Sequence, residues 1–348
     1  AYLHSDDPEA TFYQLTDSLV EVTSDRNTIT MYVKPDVDFT ALAPEFIITE
    51  GATIEPASGS VHDFSNGQPV TYKVTSQDGQ WSRTYTMYIL SRTTTQLQVF
   101  SFEQSRLDAT QRYSEWYETD EAGNEIDLWA TGNPGFALTA GDAVPSEYPS
   151  SVLEDGFQGQ GVCLVTRDTG PLGSSPFVRM PIAAGNLFTG TFNTSSALDA
   201  LHATRFGTAV ALKPLSFSGY YKYTSGGEVK DRDGNVIPGK MDTGDIYAVL
   251  YRNTDSEGNA FTLDGENVKT SDQIVATALI DEVKPTTEWT PFHINFTYKE
   301  QLDEQTLANY GYNLAIVFSS SIRGASFEGA VGSTLCIDEV TVTYETSE

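Results

Sequence analysis

Hydrophobic and polar residues alternate one by one along several short segments of this chain. The alternation is clear at 28–33, 71–75 and 85–89, where β-branched and aromatic residues recur at every second position. This pattern is typical of strands that bury one face. The dipeptide Asp78-Gly79 separates the last two segments and predicts a hairpin turn between them. We therefore predict that residues 1–94 form a β-sandwich of immunoglobulin-like size.

The same pattern continues through a longer second part of the chain. The polar segment 91–95 is predicted to be a linker, after which residues 95–348 form one larger domain. Few segments have helical periodicity, and strands separated by recurring Gly-Asn turns are typical of a large sandwich or jelly roll. We predict an all-β protein whose second domain is a jelly roll. Its strands are expected at 97–103, 162–166, 209–212, 217–223, 246–251, 274–280, 292–298, 312–318 and 335–344.

Composition limits the classes of partner. The 348 residues include 48 acidic and 20 basic ones, which gives a formal net charge of −28. Phosphate binding depends on clustered cations, so nucleic acid and anionic lipid surfaces are disfavoured as partners. No apolar run approaches the roughly 18 residues that a membrane-spanning helix requires. The chain therefore has no predicted membrane-spanning segment.

The sequence contains none of the common catalytic motifs, and its four histidines are scattered. Glycoside hydrolysis by paired carboxylates stays open as a hypothesis, because it needs only two carboxyl groups about 5–10 Å apart across a cleft. Glu115, Glu118 and Asp120 lie close to Trp116 and Tyr117 in the sequence, which would place acids beside a sugar-stacking ring. A solvated acidic loop is the alternative interpretation.

Acidic residues also suggest calcium, a hard cation that takes several carboxylate and carbonyl oxygens. Glu103 ends the opening strand of the second domain, and Asp338 lies in its closing strand. Because these strands often lie close in a jelly roll, we predict that Glu103 and Asp338 hold a structural calcium ion; solvated carboxylates are the alternative. The segment 231–235 begins like a calcium-binding loop, but its glycine is displaced, which favours a hairpin turn.

The two cysteines, Cys163 and Cys336, both have apolar neighbours and match no metal-binding spacing. Two interpretations stay open. They are either small buried hydrophobic residues or partners in a disulfide, which would suit an exported protein.

Aromatic residues indicate sugar binding, because sugars stack their C–H faces on rings. In the segment 217–223, period-two alternation places Tyr220 and Lys222 on one face of a strand. Trp116 and Trp129 lie in a long stretch of weak alternation, where functional loops are often found. We predict that Trp116, Trp129, Tyr220 and Lys222 bind carbohydrate; packing of these rings in the core is the alternative.

Several stretches of the second domain, taken in order, resemble a known family. They are 100–103, 129–135, 183–192, 217–223, 319–330 and 335–340. Residues 97–345 thereby resemble the family named "putative carbohydrate metabolism domain", which occurs in surface proteins of Bacteroidetes. The segments 51–59 and 72–89 are similar to the immunoglobulin-like domains that precede such modules.

The resemblance implies a protein of the cell envelope that takes part in glycan use. It implies an outer-membrane surface location through a lipid anchor on a cysteine upstream of Ala1. It supplies no catalytic residues. The first hypothesis is a non-catalytic, cell-surface glycan-binding protein with a poly- or oligosaccharide ligand. The alternatives are a glycoside hydrolase with paired carboxylates, and an adhesin or scaffold subunit that binds other surface proteins.

Overall fold

The computed structural model describes residues 1–12, 14–22, 27–91, 94–120, 122–196 and 199–346. It divides into two compact units, residues 1–95 and 96–345. Residues 92 and 93 of the predicted linker lie outside the described residues. No helix in the described ranges has the length and hydrophobicity needed to cross a membrane. The helices are short: α1 (Pro8–Thr11), α2 (Asn133–Phe136), α3 (Gly170–Gly173), α4 (Ala200–Ala203) and α5 (Glu304–Ala308).

The first unit is built from short strands. They are β1 (Tyr2–Leu3), β2 (Thr28–Val33), β3 (Pro44–Glu45), β4 (Thr53–Glu55), β5 (Val70–Thr75) and β6 (Ser82–Ser91). Four strands form a sheet in the order β2-β6-β5-β4, with β2 parallel to β6, while β1 pairs with β3. The predicted hairpin at Asp78-Gly79 is confirmed, because β5 and β6 are antiparallel and Gly79 has a φ of +70°. The immunoglobulin-like class of this unit stays a prediction.

The second unit contains the remaining strands. They are β7 (Thr94–Phe100), β8 (Ser105–Leu107), β9 (Ser114–Trp116), β10 (Glu118–Thr119), β11 (Glu125–Ile126), β12 (Trp129–Ala130), β13 (Ser150–Leu153), β14 (Gly161–Val165), β15 (Arg167–Asp168), β16 (Ile182–Ala183), β17 (Asn186–Phe192), β18 (Thr204–Phe206), β19 (Thr208–Val210), β20 (Lys213–Thr224), β21 (Asp245–Arg252), β22 (Ile274–Leu279), β23 (Thr286–Asn295), β24 (Thr297–Tyr298), β25 (Tyr312–Ser319) and β26 (Thr334–Thr346). The all-β prediction is confirmed.

Two large sheets form the body of the second unit. The six-stranded sheet has the order β13-β14-β26-β20-β23, with β7 also paired to β26. The eight-stranded sheet has the order β12-β17-β25-β21-β22-β24, with β18 paired to β17 and β19 paired to β25. The main hydrophobic core contains residues from both sheets, such as Phe217 and Ile337 from one and Leu250 and Phe318 from the other. The unit is therefore a sandwich of two sheets around one core.

The eight-stranded sheet is covered on its other face as well. A second cluster packs there, and it includes Phe188, Phe206, Tyr247, Val249 and Val317. Strand β21 is accordingly buried along 245–251, where core-facing and outward-facing residues are both covered. The sequence of such a strand is a continuous apolar run, because neither face of the strand contacts water. The segments that cover this face also form the pocket described below.

Three polar turns share one sequence pattern, in which an aspartate is followed by glycine three residues later and asparagine four residues later. They begin at Asp120, Asp231 and Asp255. In each turn one aspartate oxygen accepts hydrogen bonds from backbone N–H groups two and four residues later. The glycines have φ values of +83°, +82° and +85°, which residues with a Cβ rarely adopt. The segment 231–235 is therefore a turn, as favoured from the sequence.

The two cysteines face each other across neighbouring strands. Cys163 of β14 is directly opposite Cys336 of β26; both thiols are free and half-buried. In the same ladder the Thr166 N–H donates to the Ser333 carbonyl, 2.8 Å away. Hydrogen-bonded and non-hydrogen-bonded pairs alternate in antiparallel sheets, so the cysteines occupy a non-hydrogen-bonded pair. Such pairs bring side chains closest together.

Candidate functional site

The two tryptophans predicted to bind sugar lie in the core, so this prediction is wrong for both. Trp116 is 2% exposed and Trp129 is 6% exposed. The Trp129 ring packs 5.2 Å from Phe100 and 5.3 Å from Phe102, and its indole N–H donates to Glu118 at 2.8 Å. Both rings belong to short strands, β9 and β12, whose alternation turns them inward. A buried ring face is unavailable to a saccharide.

Tyr220 and Lys222 lie on the outer face of the six-stranded sheet, as the alternation predicts. The Tyr220 ring stacks on Phe157 with 3.7 Å between centroids, and the Phe157 ring meets Trp289 edge-on at 6.2 Å. The Lys222 ammonium lies 4.7 Å from the centroid of the Trp289 ring. These four side chains form a half-exposed surface cluster. Sugar binding by Tyr220 and Lys222 stays a prediction.

The structure brings Glu103 and Asp338 to the same loop, residues 156–160. Glu103 accepts a hydrogen bond from the Gln160 N–H at 2.9 Å, and Asp338 accepts one from the Gln158 N–H at 2.9 Å. Asp338 is fully buried, and burial raises the pKa of its carboxyl, with a smaller contribution from Glu103. Oxygen donors in this setting fit a hard cation. No group of three or more metal-ligating side chains occurs in the described residues, so calcium stays a prediction.

The acidic residues near Trp116 serve separate structural roles rather than facing one another. Glu115 lies 3.6 Å from the Arg106 guanidinium. Glu118 binds the indole of Trp129, and burial raises the pKa of its carboxyl. Asp120 holds one of the three polar turns. These contacts favour the interpretation as structural acids over that of a hydrolytic pair.

A pocket opens on the outer face of the eight-stranded sheet, and we call it the central pocket. It has a volume of about 160 Å³. Apolar rings line it, among them Phe188, Phe192, Phe206 and Phe327. Loops on either side close over the sheet, and backbone hydrogen bonds such as that from the Phe206 N–H to the Leu263 carbonyl hold them in place. Phe188 and Phe206 are buried, whereas Phe192 and Phe327 are partly exposed and offer stacking surfaces to the apolar faces of a sugar.

Polar groups are placed at defined points of the same pocket. Asn186 begins β17 and accepts a hydrogen bond from the Gly132 N–H at 2.7 Å. Asp245 begins β21 and forms an ion pair with Lys269, with 2.5 Å between oxygen and nitrogen. The Lys269 ammonium also lies 4.2 Å from the centroid of the Tyr247 ring. The amide of Asn186, the carboxylate of Asp245 and the phenol of Tyr247 therefore line the pocket beside the rings, as recognition of sugar hydroxyls requires.

Asp245 is the one acidic side chain that lines the central pocket within the described residues. Burial raises the pKa of its carboxyl, and the Lys269 ammonium opposes this shift. Glycoside hydrolysis needs a second carboxyl group across the pocket, which acts as a base or as a nucleophile. None of the described residues that line the pocket supplies this second carboxyl. This arrangement can hold a polar ligand and supplies no carboxylate pair.

Sequence reasoning missed the central pocket. Its side chains come from several loops and from five strands, β16, β17, β18, β21 and β25, which are spread widely along the chain. One signal was present in the sequence, because the run from Asp245 through Tyr251 is apolar beyond its first residue. An apolar strand without alternation indicates that both faces are covered, so an overlying layer was to be expected.

Known proteins resemble this chain over most of its length. Residues 101–343 match the family model described as "Putative carbohydrate metabolism domain", and residues 11–89 match the model described as "SGBP, N-terminal". No curated protein gives a significant match.

Two crystal structures are similar to this protein. One, described as a putative glycoside hydrolase from Bacteroides thetaiotaomicron VPI-5482, has 40% sequence identity and a TM-score of 0.66 and covers 92% of this chain and 91% of its own. The other, described as a putative glycoside hydrolase from Bacteroides vulgatus ATCC 8482, has 39% identity and a TM-score of 0.65. It covers 71% of this chain and 98% of its own. Because the first family model matches well over half of the chain, the protein belongs to the family described as "Putative carbohydrate metabolism domain" and carries an SGBP-type N-terminal domain.

Proposed function

We propose that this protein is a non-catalytic glycan-binding protein and that its ligand, a poly- or oligosaccharide, occupies the central pocket. The observation that carries the proposal is the combination of ring walls with fixed polar groups on the outer face of the eight-stranded sheet. The family match supports it, because the family's name refers to carbohydrate metabolism. Rings such as Phe192 would stack on the sugar, while Asn186 and Asp245 would bind its hydroxyl groups.

Hydrolysis is the second candidate, because both similar crystal structures are described as putative glycoside hydrolases. The single lining carboxylate, Asp245, already paired with Lys269, favours binding. An assay for new reducing ends separates the two candidates. Catalysis would release reducing sugar steadily from the glycan that binds, whereas a binding protein leaves that glycan intact.

We further propose that the protein is displayed at the outer-membrane surface through an upstream lipid anchor. The SGBP-type domain supports a surface location, since SGBP stands for surface glycan-binding protein. Other surface proteins are proposed as partners on the same ground. Protease treatment of intact cells tests the location, because only a surface-exposed protein would be degraded.

Affinity electrophoresis through gels that contain plant, algal or animal glycans tests the proposed site. Phe192→Ala should weaken binding of the glycan, measured as retardation in the gel, about 5- to 150-fold, because lost ring stacking costs about 1–3 kcal/mol. Tyr220→Ala is the matched control, since it removes a ring from the opposite sheet. Retained binding in Phe192→Ala together with lost binding in Tyr220→Ala would move the site to the Phe157–Tyr220–Trp289 cluster.

A further inference from the structure

A second pocket, which we call the cationic pocket, adjoins the central pocket. Arg179, Lys230 and Arg232 line it, together with Asp168 and Asp233. The chain has 48 acidic and 20 basic residues, so its net charge is strongly negative. Three cationic side chains around one pocket are therefore opposite in sign to the net charge of the protein. Net charge away from zero keeps a protein soluble, but a local excess of the opposite sign points to an anionic ligand.

The acidic residues of this pocket are engaged by the protein itself. Asp168 accepts a hydrogen bond from the Gly170 N–H at 2.6 Å. Asp233 forms an ion pair with Arg179. No carboxylate in the described residues forms an ion pair with Lys230 or Arg232. Two cations therefore remain available to a ligand.

Lys230 and Arg232 are held in place by neighbouring groups. The backbone of Lys230 bridges to both Val236 and Gly329. The Arg232 guanidinium donates to the carbonyl of Arg179 at 3.2 Å and lies 5.3 Å from the centroid of the Phe327 ring. The contacts with Phe327 and with the Arg179 carbonyl reduce the freedom that the Arg232 side chain would lose on binding an anion, whereas the bridges of Lys230 fix only its backbone.

The cationic and central pockets share a wall. Ile182 lines both pockets. Phe327 lines the central pocket, and Arg232 lines the cationic pocket. The Arg232 guanidinium lies over the Phe327 ring. The segment between β15 and β16 separates them, with Met180 on the central side and Arg179 on the cationic side. The two pockets are therefore neighbours, with one segment of chain between them.

We propose that the protein selects acidic glycans, and that Lys230 and Arg232 bind the carboxylate or sulfate group of a sugar whose ring, or whose neighbour's ring, occupies the central pocket. This inference rests on the proposed function of the central pocket. Guanidinium groups bind carboxylate and sulfate oxygens through a planar fork of N–H donors, and an ammonium adds a point charge. The net charge of −28 does not prevent this, because salt screens charges beyond about 8 Å at physiological ionic strength.

Chemically matched glycans distinguish the charge from the rest of the ligand. We would use polygalacturonate with its carboxyl-reduced form, and a sulfated galactan with its desulfated form, beside an array of neutral glycans. Binding confined to a uronate, to a sulfate ester or to both supports the proposal and identifies the anionic group. Lys230→Gln/Arg232→Gln should weaken that binding at least about tenfold, because each lost hydrogen bond joined two charged groups.

The control variant Lys284→Gln/Lys299→Gln removes two exposed lysines outside the cationic pocket, so it changes the net charge equally and should bind as the wild type does. Lys230→Arg/Arg232→Lys keeps both charges and should retain most of the affinity. Unaltered melting temperatures establish that the variants are folded. Equal binding of charged and neutralised glycans, or unaltered binding in Lys230→Gln/Arg232→Gln, would overturn this inference and leave the proposed function standing. Wild-type protein that binds no glycan would refute the proposed function and this inference with it.

Discussion

Replacement of Trp129 by alanine should reduce stability without a direct effect on the binding site. The ring is 6% exposed and packs against Phe100, Phe102 and Phe318 at centroid distances of 5.2, 5.3 and 6.5 Å. Removing a buried ring of this size leaves a cavity and typically costs about 3–5 kcal/mol of the free energy of unfolding. Trp129→Ala also leaves Glu118 without its indole donor, which adds to the cost.

Trp129→Phe is the matched control, because it keeps a ring and removes the hydrogen bond to Glu118. We expect Trp129→Phe to lose about 1.5–3 kcal/mol and Trp129→Ala to lose more. Urea unfolding followed by far-ultraviolet circular dichroism measures both, and the shift should occur in the transition of the larger unit. Glycan affinity should be unchanged wherever the variants are folded. Unaltered stability together with lost binding would show that the ring contacts ligand and would refute our interpretation of the core.

Four further predictions concern buried polar groups and the cysteine pair. Added calcium should raise the melting temperature of the wild type above its value in chelator, whereas the melting temperature of Glu103→Gln/Asp338→Asn should be the same in both. An equal rise in the two proteins would contradict the calcium site. Since burial raises the pKa of Asp338, the calcium-free folded state holds its proton more tightly than the unfolded chain, so the contribution of this carboxyl to stability should increase as pH falls from neutral towards the ordinary carboxyl range, which the difference between wild type and Asp338→Asn in urea unfolding measures. Asp242 accepts hydrogen bonds from two hydroxyls and two backbone N–H groups, so Asp242→Ala should cost about 3–5 kcal/mol in urea unfolding, and Asp242→Asn, which keeps an acceptor, should cost less. Oxidised glutathione should join Cys163 to Cys336 with loss of two hydrogens by mass spectrometry; two thiols that still alkylate after oxidation would contradict the pairing.

Much of the fold could be predicted because period-two alternation survives wherever one face of a strand meets water. The segment 217–223 is an example, since Phe217, Tyr221 and Tyr223 face the core while Tyr220 and Lys222 point outward. The Asp-Gly hairpin was predictable for a different reason, because turn chemistry is local. Pairings between distant segments, such as β12 with β17, depend on the whole sheet and leave no comparable local signal.

The candidate site was harder to predict because an aromatic side chain packs in a hydrophobic core as readily as it stacks on a sugar. Trp129 is buried in the main core, whereas Phe192 is partly exposed beside the second cluster. The sequence around Trp129 has weak alternation, which is typical of a loop, whereas β12 pairs with β17 and turns the ring inward. The basic residues of the cationic pocket were equally hidden, since Arg179 and Arg232 lie far apart in the chain.

Strand β26 lies between β14 and β20 and also pairs with β7, so the centre of the six-stranded sheet is encoded last. During synthesis the ribosome releases β14 and β20 long before their shared neighbour exists. Their unpaired edges are then open to aggregation until residues 334–346 emerge. We therefore expect a truncation before residue 334 to yield inclusion bodies rather than a smaller soluble domain.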